Sequence, residues 1–249
     1  MIIMWKWRCC AVDELLKQWI PNVVAYKSRF LTSLSQTMQM TLRSGAIALV
    51  VGLALGVLLT VTKKDGIRPQ AVIYRIVDLF VNLFRSIPFI ILLIFLIPFT
   101  RMLVGTAIGV KGALVPLVFG CVPFYTRQVE AALASVDDGK VEAARSMGSS
   151  TLGIIFRVYL HEAVPDLIRA TTITAISLIG LTTMAGAVGA GGIGSFAINY
   201  GQNQNHQDIV NVCVIILLLF VSLLQFVGNL LARRTTNRGL LRREGKDKA

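Results

Sequence analysis

Histidine, cysteine and charge are all scarce in this chain, and each shortage closes off a class of function. The two histidines, His161 and His206, stand far apart with no cluster of other ligands beside either, which excludes a histidine-based metal centre. Four cysteines give no metal or disulfide spacing: Cys9 and Cys10 are adjacent, while Cys121 and Cys213 sit singly inside apolar runs and read as buried free thiols. Glu130, Glu142 and Glu162 form no recognisable catalytic pair. No G-x-x-x-x-G-K-[ST] phosphate cradle is present, since neither Gly139-Lys140 nor Gly245-Lys246 is followed by Ser or Thr. The chain is therefore not a nucleotide-hydrolysing motor, and any work it does draws on another subunit or on a gradient. Only 15% of residues are charged, against 55% hydrophobic and a mean hydropathy of +0.69, which excludes an ordinary soluble domain.

The composition is that of a membrane protein. A net charge of +12 would suit a nucleic-acid binder, but seven of the 25 basic residues fall in the last 17 positions and most others flank apolar runs. That distribution fits membrane topology and anionic headgroups, and the expected partner is lipid with no nucleic acid.

Five apolar stretches of about 20 residues or more reach across a bilayer: Thr37 to Val61, Ile76 to Phe99, Gly112 to Leu133, Leu167 to Met184, and Ile209 to Ala232. The expected fold is an all-α polytopic membrane protein. In the first stretch Gly52 and Gly56 have the small-xxx-small spacing that lets helices approach closely. In the second, Asp78, Asn82 and Arg85 share one helix face, and Pro88 bends the helix just beyond them. Charge at membrane depth faces protein or water. This face therefore either ties neighbouring helices together or belongs to a transport pathway. The third stretch carries Pro116, Pro123 and Arg127, and the fourth is rich in hydroxyls from Thr171 to Thr183.

A glycine-rich break follows, Gly186 to Gly194. Its Gly189, Gly191 and Gly194 match a G-x-G-x-x-G dinucleotide fingerprint, but a membrane-length helix precedes it where that fingerprint needs a strand. Close backbone approach or a broken helix lining a cavity is the expected use. Candidate pathway or gate residues are Asp78, Asn82, Arg85, Thr182, Met184, Gly189, Gly191 and Gly192.

Between the third and fourth stretches lies a polar island, Val136 to Pro165, too short and too charged to enter the bilayer. Asp137 and Asp138 favour a helix start and Gly148 a left-handed stop; Ser149 and Ser150 can cap a second short helix with Ile154, Ile155 and Val158 on one side. Counting basic residues with this island inside places four in 62–75, five in 127–169 and seven in 233–249 on the cytoplasmic side, against Arg101, Lys111 and six in the N-terminal region. The balance favours a cytoplasmic C-terminus, with the basic N-terminus in conflict. Residues 1–30 hold no apolar run long enough for a signal core or a span; Val12, Leu15, Leu16, Trp19 and Ile20 fit either a helix on the membrane surface or a poorly ordered leader.

The island resembles the cytoplasmic signature of the integral-membrane permease subunits of ABC importers: Glu142-Ala143-Ala144, three residues, Gly148, nine residues, then Val158-Tyr159-Leu160-His161. His161 stands where that family usually has proline, with Pro165 four positions later, a departure that bears on how the second helix ends. FRSIPFIILL (Phe84 to Leu93), IPFTR, GAVGAGGIG and QFVGN extend the likeness over roughly residues 34 to 232, which is most similar to the methionine importer permeases. The resemblance implies a type I ABC importer permease fold over 34–232, with a leader at 1–33 and a basic cytoplasmic tail at 233–249. It implies a dimeric pathway in the bacterial cytoplasmic membrane, with the glycine-rich break near the gate. Glu142, Ala143, Ala144, Gly148 and Leu160 would form a hairpin held by two ATPase subunits that bind ATP and Mg, and a binding protein would deliver substrate from outside. No cofactor is expected in this chain. The alternatives are a permease for another amino acid or small solute, or an ion-driven secondary transporter using the Asp78 face.

Overall fold

The computed structural model describes residues 20–246, with side chains to residue 235; the surface-helix pattern from Val12 to Trp19 and the end of the basic tail lie outside the described residues. Among the described residues the chain is all α-helical. A short helix α1 (Pro21–Ala25) leads into α2 (Lys27–Thr62), which crosses the whole bundle. Then come α3 (Ala71–Ser86), α4 (Phe89–Phe95), α5 (Ile97–Val104) and α6 (Gly109–Ala134). The polar island forms α7 (Asp138–Ser146) and α8 (Thr151–Ile154), a π-helical turn Ile155–Tyr159 and α9 (Leu160–Glu162). α10 (Val164–Ala185), α11 (Gly192–Phe196) and α12 (Gln207–Lys246) complete the chain.

Four segments are long and apolar enough to cross a membrane unaided: Lys27–Thr62, Gly109–Ala134, Val164–Ala190 and Gln207–Thr235. The fifth expected span, Ile76 to Phe99, is not one helix. It divides into α3 and α4, bent by 104° at Ile87 and Pro88, and ends before α5. The cause is local. Proline drives the residue before it out of the helical region, and Ile87 is extended at φ −85° and ψ 124°. The chain thus has five spans when the bent pair is taken as one.

Glycine decides the tightest packing. A Cβ on Gly52 would lie 2.7 Å from the Tyr125 ring, and one on Gly56 2.5 Å from Val129, so α2 and α6 meet backbone against side chain along the predicted small-residue stripe. Buried Val129, Leu133, Val141, Ile154, Tyr159 and Ala170 form a core at the hairpin end of the bundle. Met40, Leu117, Cys121 and Leu178 fill its middle, and Val23, Ile193, Phe196, Ile209 and Cys213 its far end. Outside, the apolar rule reverses: only 11% of the most apolar window of Gln207–Thr235 is buried, and Leu218, Leu219 and Leu223 are exposed. Such a surface suits hydrocarbon, not water.

Candidate functional site

The polar island is a hairpin because each of its turns is satisfied by a nearby side chain or a glycine. The Asp137 carboxylate accepts the Gly139 N–H at 2.8 Å and starts α7. Gly148, at φ +76°, ends it: its N–H donates to Arg145 O at 3.0 Å and the Ser149 N–H to Ala144 O at 3.1 Å. The Ser150 hydroxyl then accepts the Gly153 N–H at 3.2 Å and opens the second limb. That limb does not stop at His161, which is exposed within α9. It stops at Ala163, and Pro165 falls in the first turn of α10, where a missing N–H is no loss. The limb therefore ends two residues past His161, and the hairpin is whole.

Val141, Ala144, Ile154 and Tyr159 face inward and anchor the hairpin on α6 and on Ile67 of the α2–α3 loop. Arg145 donates to the Ile67 carbonyl, and Lys140 pairs with Glu162 across the two limbs. Burial first, and the nearby Asp138 charge second, push the Tyr159 phenol above its ordinary pKa, so it stays neutral. The five signature residues consequently divide. Glu142 and Ala143 are exposed, Ala144 is buried, Gly148 makes the turn and Leu160 packs on the core. Sequence reasoning missed three side chains that complete the outer surface: Met147, Leu152 and Phe156, exposed at 78%, 67% and 65%. Three large apolar groups on a charged hairpin outside the spans form a surface suited to a protein partner.

The polar face of α3 leads to α6. Arg127 donates to Asp78, to Asn82 Oδ1 at 2.8 Å and to Glu130 at 2.6 Å, while Asn82 Nδ2 donates to Asp78 at 3.1 Å. One guanidinium thus joins the inner half of the bent span to the helix that runs into the hairpin. Arg85 takes no part; it is exposed and has no ion pair among the described residues. Arg127 is the missed residue here, although a lone arginine in an apolar stretch was itself a signal that a carboxylate lay opposite.

At the other end of α10 the helix widens and breaks. Val188 and Gly189 leave helical geometry, and Gly189, Gly191 and Gly192 have φ of +90°, +83° and +79°. The N–H groups freed by the break are capped from α2: Gly192 donates to Gln36 Oε1 at 2.9 Å and Ile193 to Thr37 Oγ1 at 2.8 Å. Thr182 is buried, with its hydroxyl on Ile179 O, whereas Met184 and Gly189 are exposed. What precedes Gly189 is α10; Gly189 turns the chain through a left-handed φ in open space, while Gly191, Gly192 and Gly194 serve close packing: a Cβ on Gly192 would lie 2.6 Å from Thr37 Oγ1. Thr37→Val keeps the shape and deprives the buried Ile193 N–H of its acceptor, a loss of about 1–3 kcal/mol. Thermal unfolding of the detergent-solubilised protein should show a lowered midpoint for Thr37→Val and a near-normal one for Thr37→Ser.

Comparison with known proteins agrees with this geometry. Residues 48–238 match the family described as "Binding-protein-dependent transport system inner membrane component". The chain is 42% identical over 208 residues to a probable D-methionine transport system permease protein of Vibrio cholerae, covering 84% of this chain and 92% of that one. It is 45% identical over 174 residues to the methionine import system permease protein of Bacillus subtilis, covering 70% and 78%. Its fold superposes with a TM-score of 0.82, at 44% identity over 85% of this chain and 98% of the other, on a chain from inward-facing structures of the MetNI methionine ABC transporter. A signature hairpin outside the spans, a glycine break capped from the first span and a family match over most of the length converge: the chain belongs to the binding-protein-dependent transport system inner membrane components and is a permease subunit of an ABC importer.

Proposed function

We propose that two copies of this chain form the pathway by which methionine enters across the bacterial cytoplasmic membrane, driven by an ATPase subunit on each hairpin. The observation that carries this reading is the hairpin itself. Its inner residues are locked to the ends of α6 and α10, and its outer ones, Glu142, Ala143, Met147, Leu152 and Phe156, are left for a partner. A push on that surface therefore reaches the spans through packed side chains, not through a flexible loop. ATP and Mg belong to the partner, because this chain has no phosphate cradle. When the ATPases close, the hairpins move as levers and the pathway alternates between its two openings. A binding protein delivers substrate at the far end, beside α1 and the loop before α12.

Methionine is the substrate named for the 42% and 45% identical relatives above, and their similarity supports the same substrate here. Labelled methionine uptake tests it in cells lacking their own importer and supplied with this chain and its ATPase. Uptake should rise well above background and stop when the ATPase is inactivated. Unchanged methionine entry, or restored entry of a different solute, rejects the substrate; uptake by the chain alone in liposomes rejects the ATP-driven mechanism.

A further inference from the structure

We infer that the cleft between the first half of α10 and the second half of α12 holds an acyl chain of an anionic phospholipid, with Arg234 binding its headgroup. The cleft measures about 400 Å³ and is lined by Leu167, Ile168, Ala175, Leu224 and Val227, among others. Val227 and Leu231 on its wall are 43% and 48% exposed, so it is open at the surface of the bundle. Its only polar lining atoms are already engaged: Thr171 donates to Leu167 O and meets the Tyr125 hydroxyl, and Thr172 donates to Ile168 O. A polar solute finds no partner there. An alkyl chain needs none.

Shape and charge then specify the lipid. At Gly228 the two helices are in contact, since a Cβ there would lie 2.1 Å from Thr172 Oγ1, and this approach forms the floor of the cleft. Leu224, Val227 and Leu231 recur at helical spacing along its α12 wall, and the next position on that stripe is Arg234. Arg234 lies about 5 Å further along the axis, one turn past the cleft, at the end where the hairpin leaves the bundle. Arg233 and Arg234 are exposed and make no ion pair among the described residues. Asp166, the carboxylate at the start of α10, is engaged by Arg169 at 2.9 Å and by the Ser135 hydroxyl. The cleft therefore ends at a guanidinium, that of Arg234, with no counter-charge among the described residues, at headgroup depth on the side that the basic residues assign to the cytoplasm. A chain-shaped apolar slot ending in uncompensated positive charge matches a phosphatidylglycerol-like lipid of the inner leaflet, whose attraction to each basic residue amounts to about a fivefold preference.

The test uses the full chain with its ATPase, reconstituted in phosphatidylcholine discs doped with photoactivatable phosphatidylglycerol or, separately, photoactivatable phosphatidylcholine. Crosslinks are mapped by mass spectrometry. Phosphatidylglycerol should label 164–175 and 224–231 at least fivefold more than phosphatidylcholine. The Arg234→Gln variant should label equally with both lipids, and Ala175→Trp, which fills the slot, should lose labelling with either. Equal labelling by the two lipids in the unaltered protein overturns the anionic assignment. Absence of labelling, with crosslinks from this cleft to a second copy, assigns the surface to the subunit interface instead.

Discussion

Gly148→Val is expected to lower methionine uptake at least tenfold while the protein still reaches the membrane, whereas Gly148→Asn keeps most of the activity. The residue sits at φ +76°, and a Cβ built on it meets nothing within 4 Å. Crowding therefore plays no part in the expected effect, which is conformational. The left-handed region costs an L-residue roughly 1–2 kcal/mol and is worse for a β-branched one, while asparagine tolerates it. A valine relieves that strain by opening the turn, and the turn sets the direction of the limb that carries exposed Leu152 and Phe156 relative to the one that carries Met147. The ATPase then meets a misaligned surface. Uptake assays normalised to membrane-inserted protein check this, with basal and substrate-stimulated ATPase rates measured on the purified complex. Normal uptake by Gly148→Val would separate hairpin geometry from transport.

Arg127→Gln has the second large expected effect, and it acts inside the bundle. The side chains of Arg127, Asp78 and Glu130 are 19%, 31% and 20% exposed, so water compensates the charges only in part. Removing the guanidinium leaves two carboxylates facing one another at the junction of α3 and α6. Breaking a buried pair on one side costs about 3–5 kcal/mol, and the partial exposure here reduces that to roughly 2 kcal/mol. Asp78→Asn in the Arg127→Gln background removes one of the stranded charges and should recover much of the loss. Arg127→Lys should fall between, because one ammonium on a flexible stem does not reproduce a fork that serves Asp78, Asn82 and Glu130 together. The readout is thermal stability in detergent of the unaltered protein, the single variants Arg127→Gln and Asp78→Asn and their combination, arranged as a double-mutant cycle, with Arg127→Lys measured beside them. Strict additivity of the two substitutions would show that Asp78 and Arg127 are not coupled.

Much of the fold was legible because membrane-length apolar runs and their polar interruptions are local properties. Four spans emerge where composition placed them, and α2 starts well before its predicted beginning and α12 runs well past its predicted end because nothing in Lys27–Thr62 or Gln207–Lys246 stops a helix. The hairpin was equally legible: an aspartate cap, a left-handed glycine and a serine cap act within a few residues of their own positions. The remaining span was legible as a bent one. Pro88 announced a bend, but its 104° angle depends on what α3 and α4 pack against.

Sequence by itself determined the class of molecule, the positions of the spans and of the cytoplasmic hairpin, and the glycines that the break requires, since hydropathy, capping and left-handed φ are settled by neighbours along the chain. Only the tertiary structure decided which groups meet. It gave Asp78 to Arg127 across 49 positions, and sent Gln36 and Thr37 across 156 to cap the glycine break. It also divided the signature between Ala144 and Leu160, which hold the hairpin, and Glu142 and Ala143, which face outward. A donor stranded by a broken helix can be satisfied by any acceptor that packing brings within reach, and packing is a property of the whole bundle.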